Sequence, residues 1–353
     1  MPAHIDFAAQ PLATTTALPA RYYVDAQGAE LDHRAVFARS WQLAAHATQL
    51  GNPGDHVVTE VAGLPLLVVR GNDGVLRALH NVCRHRAGPL ALCDGRAAKR
   101  LRCRYHGWTY ALDGRLLSAP EMGDAVDFQI DAIRLPEARV AEWHGLVFVA
   151  LEAAPPFTDL LEGIDARVGP GALAGCTFHQ RTTYDLACNW KVYVDNYLEG
   201  YHVPHIHPEL NRMLDYRSYV TELARWHSLQ WSPLESTDDL YGNGEALYYW
   251  IWPNTMLNIL PGRLQTNRVL PLGPDRCRVE FDFYYPDDAR AAARRERDLA
   301  FSDLVQKEDV DICERVQRGL GSGSYVAGRL NPLRESGVHH FHELLRAAYR
   351  AAT

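Results

Sequence analysis

The sequence predicts an α+β protein of two domains, a small all-β domain followed by a larger one in which helices lie on an antiparallel sheet. Three observations carry this. Residues 56–150 form short apolar runs broken by turn signals, Pro155-Pro156 ends that pattern, and beyond it alternating strands give way to a long charged helix. The expected bounds are 1–40 for an N-terminal arm and helix packed on the larger domain, 41–152 for the β domain, and 153–353 for the larger domain.

Residues 1 to about 20 are rich in Ala, Pro and Thr and read as an arm, and Ala35 to Leu43 reads as a short helix. Leu66-Leu67-Val68-Val69 is a strand, and Gly71-Asn72-Asp73-Gly74 after it is a hairpin turn. Asp113-Gly114 marks a further turn, and Gly145 to Leu151 is the last strand of the β domain. In the larger domain Asn189 to His202 reads as one helix. Residues 218–286 alternate, with strands at Tyr248–Trp252 and Arg278–Tyr285. Helices are expected over Asp287–Leu320 and Glu335–Ala351. Gly319-Leu320-Gly321-Ser322-Gly323 is glycine-rich but follows a helix rather than a strand, so it reads as a helix C-terminus, not a phosphate loop.

The 353 residues are 47% apolar, enough for a sizeable core, and the formal charge of −7 argues against nucleic acid or an anionic membrane as partner. The seven cysteines are odd in number and lack paired spacing, which fits a reducing compartment. With no basic-then-apolar leader and no apolar run of membrane-spanning length, a cytoplasmic location is expected.

Chemistry concentrates first in residues 83–106. Cys83 and His85 stand two apart, and after seventeen further residues Cys103 and His106 stand three apart. Two thiolates and two imidazoles suit either zinc or a [2Fe–2S] cluster in which histidines replace cysteines on one iron. Zinc sites usually open with ligands two to four residues apart, and the mixed Cys-x-His pair does not fit that habit. The flanks Arg84-His85-Arg86-Ala87-Gly88-Pro89 and His106-Gly107-Trp108-Thr109-Tyr110 also suit a shielded cluster. Ligand order, spacing and the Tyr-His-Gly-Trp run resemble the Rieske segment of Rieske non-heme iron oxygenases.

The second constellation is Asn189 to His207. Asp195, Glu199 and His202 fall at i, i+4 and i+7, one face of the expected helix, with Pro204 ending it so that the chain turns His207 towards His202. His205 competes with His207 for that role. Two imidazoles and a carboxylate make the facial triad of oxygen-activating Fe(II). Nothing local chooses among Glu308, Asp309 and Asp311 for the carboxylate. The trio His339, His340 and His342 reads as packing or surface histidine, and His4, His33, His46, His56, His80, His144, His179 and His227 read as ordinary polar positions.

The resemblance implies the rest. The larger domain would be a helix-grip, START-like catalytic domain, with a Rieske [2Fe–2S] cluster on Cys83, His85, Cys103 and His106. A mononuclear Fe(II) would sit on His202, His207 and Asp309, the aspartate being chosen because Glu314 follows it five positions on. O2 would be the co-substrate. Inserting oxygen into a C–H bond takes two electrons from outside the substrate, and a one-electron cluster beside a ferrous ion answers that need. In the family, electrons cross between subunits of a head-to-tail homotrimer through a bridging carboxylate. The matching position is Glu199, where the commonest residue is Asp. Asp195 and Asn196, on the same segment, complete the candidate catalytic set. No glycine motif for a nucleotide follows a strand, so a separate NAD(P)H-dependent reductase is expected.

Glu199, the His85-Arg86-Ala87 loop, the segment Glu314–Leu320 and the stretches Pro253–Met256 and Thr266–Arg268 resemble the branch acting on quaternary ammonium compounds such as choline, glycine betaine and carnitine. The implied reaction is hydroxylation of a C–H bond next to nitrogen in such a small molecule. Aromatic faces suit a methylammonium cation, and Tyr184, Tyr193, Tyr197, Tyr201, Tyr248, Tyr249, Trp250 and Trp252 are the candidates. Arg263 or Arg268 could pair with a substrate carboxylate, though an outward-facing arginine is the expectation for each. The alternatives are an aromatic acid as substrate or, more remotely, an electron carrier or zinc-binding protein.

Overall fold

A computed structural model describes residues 7–151, 153–169, 171, 173–234 and 240–353; His4 lies outside them. Two compact units emerge, Phe37–Pro155 and a second made of the N-terminal segment through Val36 with Pro156–Thr353.

In the first unit, strands β1 (Trp41–His46), β2 (His56–Val61), β3 (Leu64–Arg70), β4 (Leu76–His80), β8 (Glu137–Trp143) and β9 (Leu146–Ala150) form an antiparallel sheet in the order β1-β9-β8-β4-β3-β2. Between β4 and β8 the chain makes a small three-stranded sheet from β5 (Leu101–Arg102), β6 (Thr109–Tyr110) and β7 (Leu116–Ser118). The β3–β4 turn falls at Gly71–Gly74: Gly74 takes a left-handed φ of 77° and Asp73 Oδ1 accepts the Val75 N–H at 3.1 Å. Leu67, Val69, Leu79, Leu101, Trp108 and Tyr110 pack into one core, which also encloses Cys83 and Cys103.

The helix expected over Ala35–Leu43 does not form. Asp32–Val36 is a π-helical turn, Phe37–Arg39 a 3₁₀ turn, and Trp41 begins β1. All six β1 residues are buried, so no polar–apolar alternation betrays the strand. Its alanines carry helix propensity that pairing with β9 overrides.

In the second unit, helices α1 (Arg21–Val24) and α2 (Ala26–Leu31) precede the turns above, and α3 (Phe157–Leu160) and α4 (Ile164–Val168) precede a seven-stranded antiparallel sheet. Its strands are β10 (Cys176–Leu186), β11 (Val220–Leu223), β12 (His227–Leu234), β13 (Gly244–Ile251), β14 (Thr255–Leu260), β15 (Arg263–Gly273) and β16 (Arg276–Pro286), in the order β10-β16-β15-β14-β13-β12-β11. Between β10 and β11 lie α5 (Trp190–Tyr197), α6 (Val203–Ile206) and α7 (Pro208–Met213). After β16 come the 33-residue α8 (Ala289–Gly321) and α9 (Ser336–Ala352). Asp288 caps α8 by accepting the Ala291 N–H at 2.7 Å. Phe341 of α9 packs edge-on against Trp190 of α5 and Trp250 of β13, seating both helices over the sheet. Buried Asp32 fixes the same corner, accepting from Trp190 Nε1 at 2.8 Å and also binding Lys191 and Tyr349.

The single helix expected over Asn189–His202 is interrupted. Asn189 caps α5 through the Lys191 N–H at 3.0 Å, but the helix stops at Tyr197. Pro204 does not end it; the proline sits in the first turn of α6, where its missing N–H is no loss.

Candidate metal centres and cavity

In the first unit two loops share one geometry. The Cys83 N–H donates to the Gly88 carbonyl at 2.9 Å and the Ala87 N–H returns to the Cys83 carbonyl at 3.0 Å; Cys103 pairs likewise with Trp108 and Gly107 at 2.9 and 3.0 Å. The residue four after each cysteine takes a left-handed φ, 56° at Ala87 and 75° at Gly107. Each loop thus presents a buried cysteine and an exposed histidine on the same side. The loops face one another closely: a Cβ on Gly88 would stand 2.9 Å from Cys103 Sγ. The His85 and His106 rings lie 4.6 Å apart, and His85 stacks on Trp108 at 5.0 Å. Some loss of hydration, with the neighbouring His85 and Arg86, pushes the His106 pKa down, favouring the neutral imidazole that a metal takes. Tyr110 Oη lies 3.3 Å from Cys83 Sγ and accepts the Arg84 N–H at 3.0 Å. Two buried sulfurs and two surface imidazoles fit the two-thiolate, two-imidazole donor set that would hold such a cluster.

In the second unit His202, His207 and Asp309 each bring a ligand atom within 4.8 Å of the others. Asp309 Oδ1 lies 3.0 Å from His207 Nε2 and 3.9 Å from His202 Nε2. The outer nitrogens are tied back: His202 Nδ1 to Glu199 Oε1 and His207 Nδ1 to Glu308 Oε2, both at 2.7 Å. These carboxylates hold the Nδ1 protons, which leaves Nε2 lone pairs facing the Asp309 carboxylate. That arrangement is repulsive unless a proton or a metal ion stands between. The His207 pKa records the same demand: burial would lower it, but Asp309 and Glu308 outweigh burial and raise it. Asp311, by contrast, is exposed and pairs with Arg315 at 2.7 Å, Glu308 lies behind His207, and His205 is exposed.

The interruption after Tyr197 makes this site. Glu199 and His202 leave the helix, and Glu199 Oε2 accepts the His202 N–H at 3.0 Å, so the carboxylate folds onto its own loop rather than lining a helix face. Asn196 donates to Asp309 Oδ1 at 2.6 Å and Tyr193 to Gln306 at 2.6 Å, clasping α5 to α8. Asp195 points elsewhere, accepting from Tyr23 at 2.7 Å and His342 Nε2 at 2.9 Å. His342 Nδ1 takes the Leu18 N–H at 3.2 Å, so its proton is on Nε2 and it donates. His342 is therefore a packing histidine. The run of histidines in 339–342 hinted at its presence, but nothing in the sequence pairs it with Tyr23 and Asp195.

A cavity of about 780 Å³, open solvent at its mouth included, adjoins the triad. Of the expected aromatics, Tyr193, Tyr197 and Tyr248 line it, joined by Tyr219, Phe281 and Phe301. Tyr249, Trp250 and Trp252 are core, Tyr201 is exposed, and Tyr184 donates to Asp303 at 2.9 Å. Neither arginine faces outward. Arg268 is buried against Glu280, and Arg263 lines the cavity beside Asp298 at 3.1 Å. Arg263 Nε and Gln306 Nε2 are buried without a hydrogen-bond partner among the described residues. Such a donor costs about 1–3 kcal/mol unless something meets it.

A cysteine–histidine loop pair in one unit and a two-histidine, one-carboxylate group in the other define an iron oxygenase that carries its own electron store. Residues 40–136 match the Rieske [2Fe-2S] domain family and residues 173–351 the ring hydroxylating alpha subunit (catalytic domain) family. The chloroplastic choline monooxygenase of Arabidopsis thaliana is 37% identical, over 95% of this chain and 83% of that protein. The carnitine monooxygenase oxygenase subunit of Escherichia coli strain K12 is 32% identical, over 98% and 96%. A solved quaternary ammonium Rieske monooxygenase superposes with a TM-score of 0.88 at 27% identity, covering 97% of this chain and 99% of that one. Naphthalene 1,2-dioxygenase from Rhodococcus, at 19% identity, a TM-score of 0.80 and coverage of 96% and 95%, shares the fold. The chain belongs to the Rieske non-heme iron oxygenases, as an oxygenase alpha subunit. It is an oxidoreductase that uses a Rieske [2Fe–2S] cluster, mononuclear iron and O2, with a reductase and a small-molecule substrate as partners.

Proposed function

We propose that this oxygenase hydroxylates a C–H bond next to nitrogen in a small quaternary ammonium compound, with N-demethylation or alcohol oxidation as the outcome. The observation that carries the reading is the cavity beside His202, His207 and Asp309, walled by the aromatic side chains of Tyr197, Tyr219, Tyr248, Phe281 and Phe301. Aromatic faces attract a methylammonium cation and exclude water from it. The names of the choline and carnitine monooxygenase relatives support the same class.

In this reading His202, His207 and Asp309 hold the mononuclear iron and Cys83, His85, Cys103 and His106 hold the cluster. When bound, the two centres supply oxygen activation and one-electron storage. The chain's own groups do the positioning. Glu199 and Glu308 keep the Nδ1 protons on His202 and His207 and so aim both Nε2 atoms inward. Asn196 fixes the rotamer of Asp309. Glu199 lies on the far side of His202 from the triad. In a head-to-tail trimer it would join His202 to an exposed cluster histidine, His85 or His106, of the next subunit. Asp195 has a positioning role, bracing α5 against Tyr23 and α9. The cytoplasm is the location we infer, since the seven cysteines are odd in number and, outside the cluster pair, lack paired spacing.

The test is oxygen uptake with NADH and a surrogate reductase against quaternary ammonium compounds and aromatic acids, with formaldehyde assayed alongside. Uptake dependent on a methylammonium compound is expected. Uptake with aromatic acids alone would remove the substrate reading and leave the oxygenase class standing.

A further inference from the structure

One wall of the cavity that adjoins the triad is built from β14 and β15. Arg263, Gln265 and Asn267 occupy alternate positions of β15 and share one face, and Asn258 of β14 sits directly across from Gln265. Their hydrogen bonds run in one direction. Arginine only donates, so its bond to Gln265 Oε1 fixes which end of that amide is oxygen. Ser302 donates to the same oxygen at 3.0 Å. Gln265 must then donate through Nε2, and it does so to Asn267 Oδ1 at 2.7 Å. Tyr197 Oη, which also lies 3.1 Å from the Tyr249 carbonyl, donates its one proton over the shorter distance of 2.7 Å to Asn258 Oδ1.

Asn267 and Asn258 therefore each use the oxygen on the protein and keep an N–H₂ over. Asn267 Nδ2 and Asn258 Nδ2 make no hydrogen bond within the described residues, and Arg263 Nε and Gln306 Nε2 are the buried unpartnered donors of the same cavity. Arg263 is over nine-tenths buried, and its charge is matched by Asp298. This pair adds no net charge to the wall, which shows a surplus of donors. A hydroxyl brings a donor of its own to such a wall, whereas a carboxylate brings acceptors only, about four lone-pair sites.

We infer that the substrate is a zwitterion, a quaternary ammonium carboxylate rather than an amino alcohol, and that Asn267 and Asn258 receive its carboxylate. This rests on the quaternary ammonium reading and narrows it. The aromatic faces take the cation and the donor wall takes the anion. The two asparagines set specificity, and no step of the chemistry passes through them.

The test is calorimetric titration of the holoenzyme, kept anaerobic and without reductase, with a series of ω-trimethylammonium carboxylates and the alcohols of the same length, beginning with glycine betaine and choline. At the best-fitting length the carboxylate is expected to bind about ten-fold or more tightly than its alcohol. Asn267→Asp and Asn258→Asp each preserve the oxygen that Gln265 or Tyr197 uses and replace the donor with a second acceptor. Either change is expected to abolish the preference, with melting temperature and iron content unchanged. An alcohol bound as tightly as its carboxylate, or a preference that survives in both variants, would overturn the inference and leave the quaternary ammonium reading intact. Heat from aromatic acids and from neither series would overturn both.

Discussion

Asp309 and Asp311 differ by two positions on one helix, and that is enough to separate their roles. Asp311 is exposed and closed on Arg315, a solvent-screened surface ion pair. Asp309 faces two Nε2 atoms. Asp309→Ala is expected to lose the mononuclear iron while keeping the cluster, and Asp311→Ala to keep both, read by iron and acid-labile sulfide analysis. Iron retained in the first and lost from the second would reverse the assignment. His207 supplies a pH signature. Its pKa in the metal-free fold is raised above the ordinary ~6.5, so its contacts with Asp309 and Glu308 stabilise the apoprotein fully below the unfolded imidazole pKa and fade as pH climbs through the raised one. Iron must displace that same proton. Its affinity should therefore fall as pH drops through the raised pKa, by about ten-fold per unit for one proton. Glu308→Gln removes one of the raising carboxylates and should move the fall to lower pH. Iron uptake measured against pH in the two proteins checks this.

At the scale of elements, the cluster loops offer the sharper test. Tyr110 of β6 reaches back across the core to Cys83 Sγ and holds the Arg84 N–H, so one phenol serves a proposed ligand atom and the loop carrying it. Burial together with Cys83 raises the Tyr110 pKa, so the phenol keeps its proton and can donate it to a ligating thiolate. A donor to sulfur stabilises the more negative, reduced cluster. Tyr110→Phe should lower the reduction potential by an amount on the order of tens of millivolts, measured by spectroelectrochemistry, with cluster content preserved. The cluster loops were legible in the sequence because Cys-x-His and Cys-x-x-His at this separation are chemically unusual residues in an unusual order. Other elements were not. The i, i+4, i+7 spacing of Asp195, Glu199 and His202 suited a helix running on to His202, but Gly200 interrupts that run, and Glu199 folds onto the His202 N–H where the helix has given way to a loop. Trp41–His46 hid as a strand because both its faces are buried. The donor wall of β14 and β15 was invisible, since it depends on register across two strands and on which end of each amide the neighbour holds. Arg263 was misread for the same reason: its counter-charge, Asp298, lies 35 positions away on α8.

The whole molecule raises the question of where electrons travel. In the first unit the cysteines are buried and the histidines His85 and His106 are exposed, ringed by exposed Arg84, Arg86 and Arg104. The outward edge of the proposed cluster is thus an imidazole edge with a basic collar, shaped to meet an acidic group. In the second unit Glu199 is such a group, half-buried and bonded to His202 through one oxygen and to the His202 N–H through the other. A carboxylate oxygen has more than one lone pair, so Glu199 can accept a second imidazole N–H without releasing the first. If the assembly is the head-to-tail ring proposed above, the two partial sites of one subunit serve different neighbours. Complementation distinguishes this from transfer within a subunit. Cys83→Ser should leave a subunit without a working cluster, and His207→Ala one without mononuclear iron; each alone should be inactive. Co-expressed and assembled together, they should regain a measurable fraction of turnover, because an intact cluster in one subunit then faces an intact iron site in the next. Adding Glu199→Gln to the subunit that retains its iron site should abolish the regained turnover while both metals stay bound, since the neutral amide is a weaker acceptor and no longer couples the imidazoles. Mixed assemblies as inactive as the separate variants would place the transfer within one subunit, and turnover unaffected by Glu199→Gln would remove the bridge.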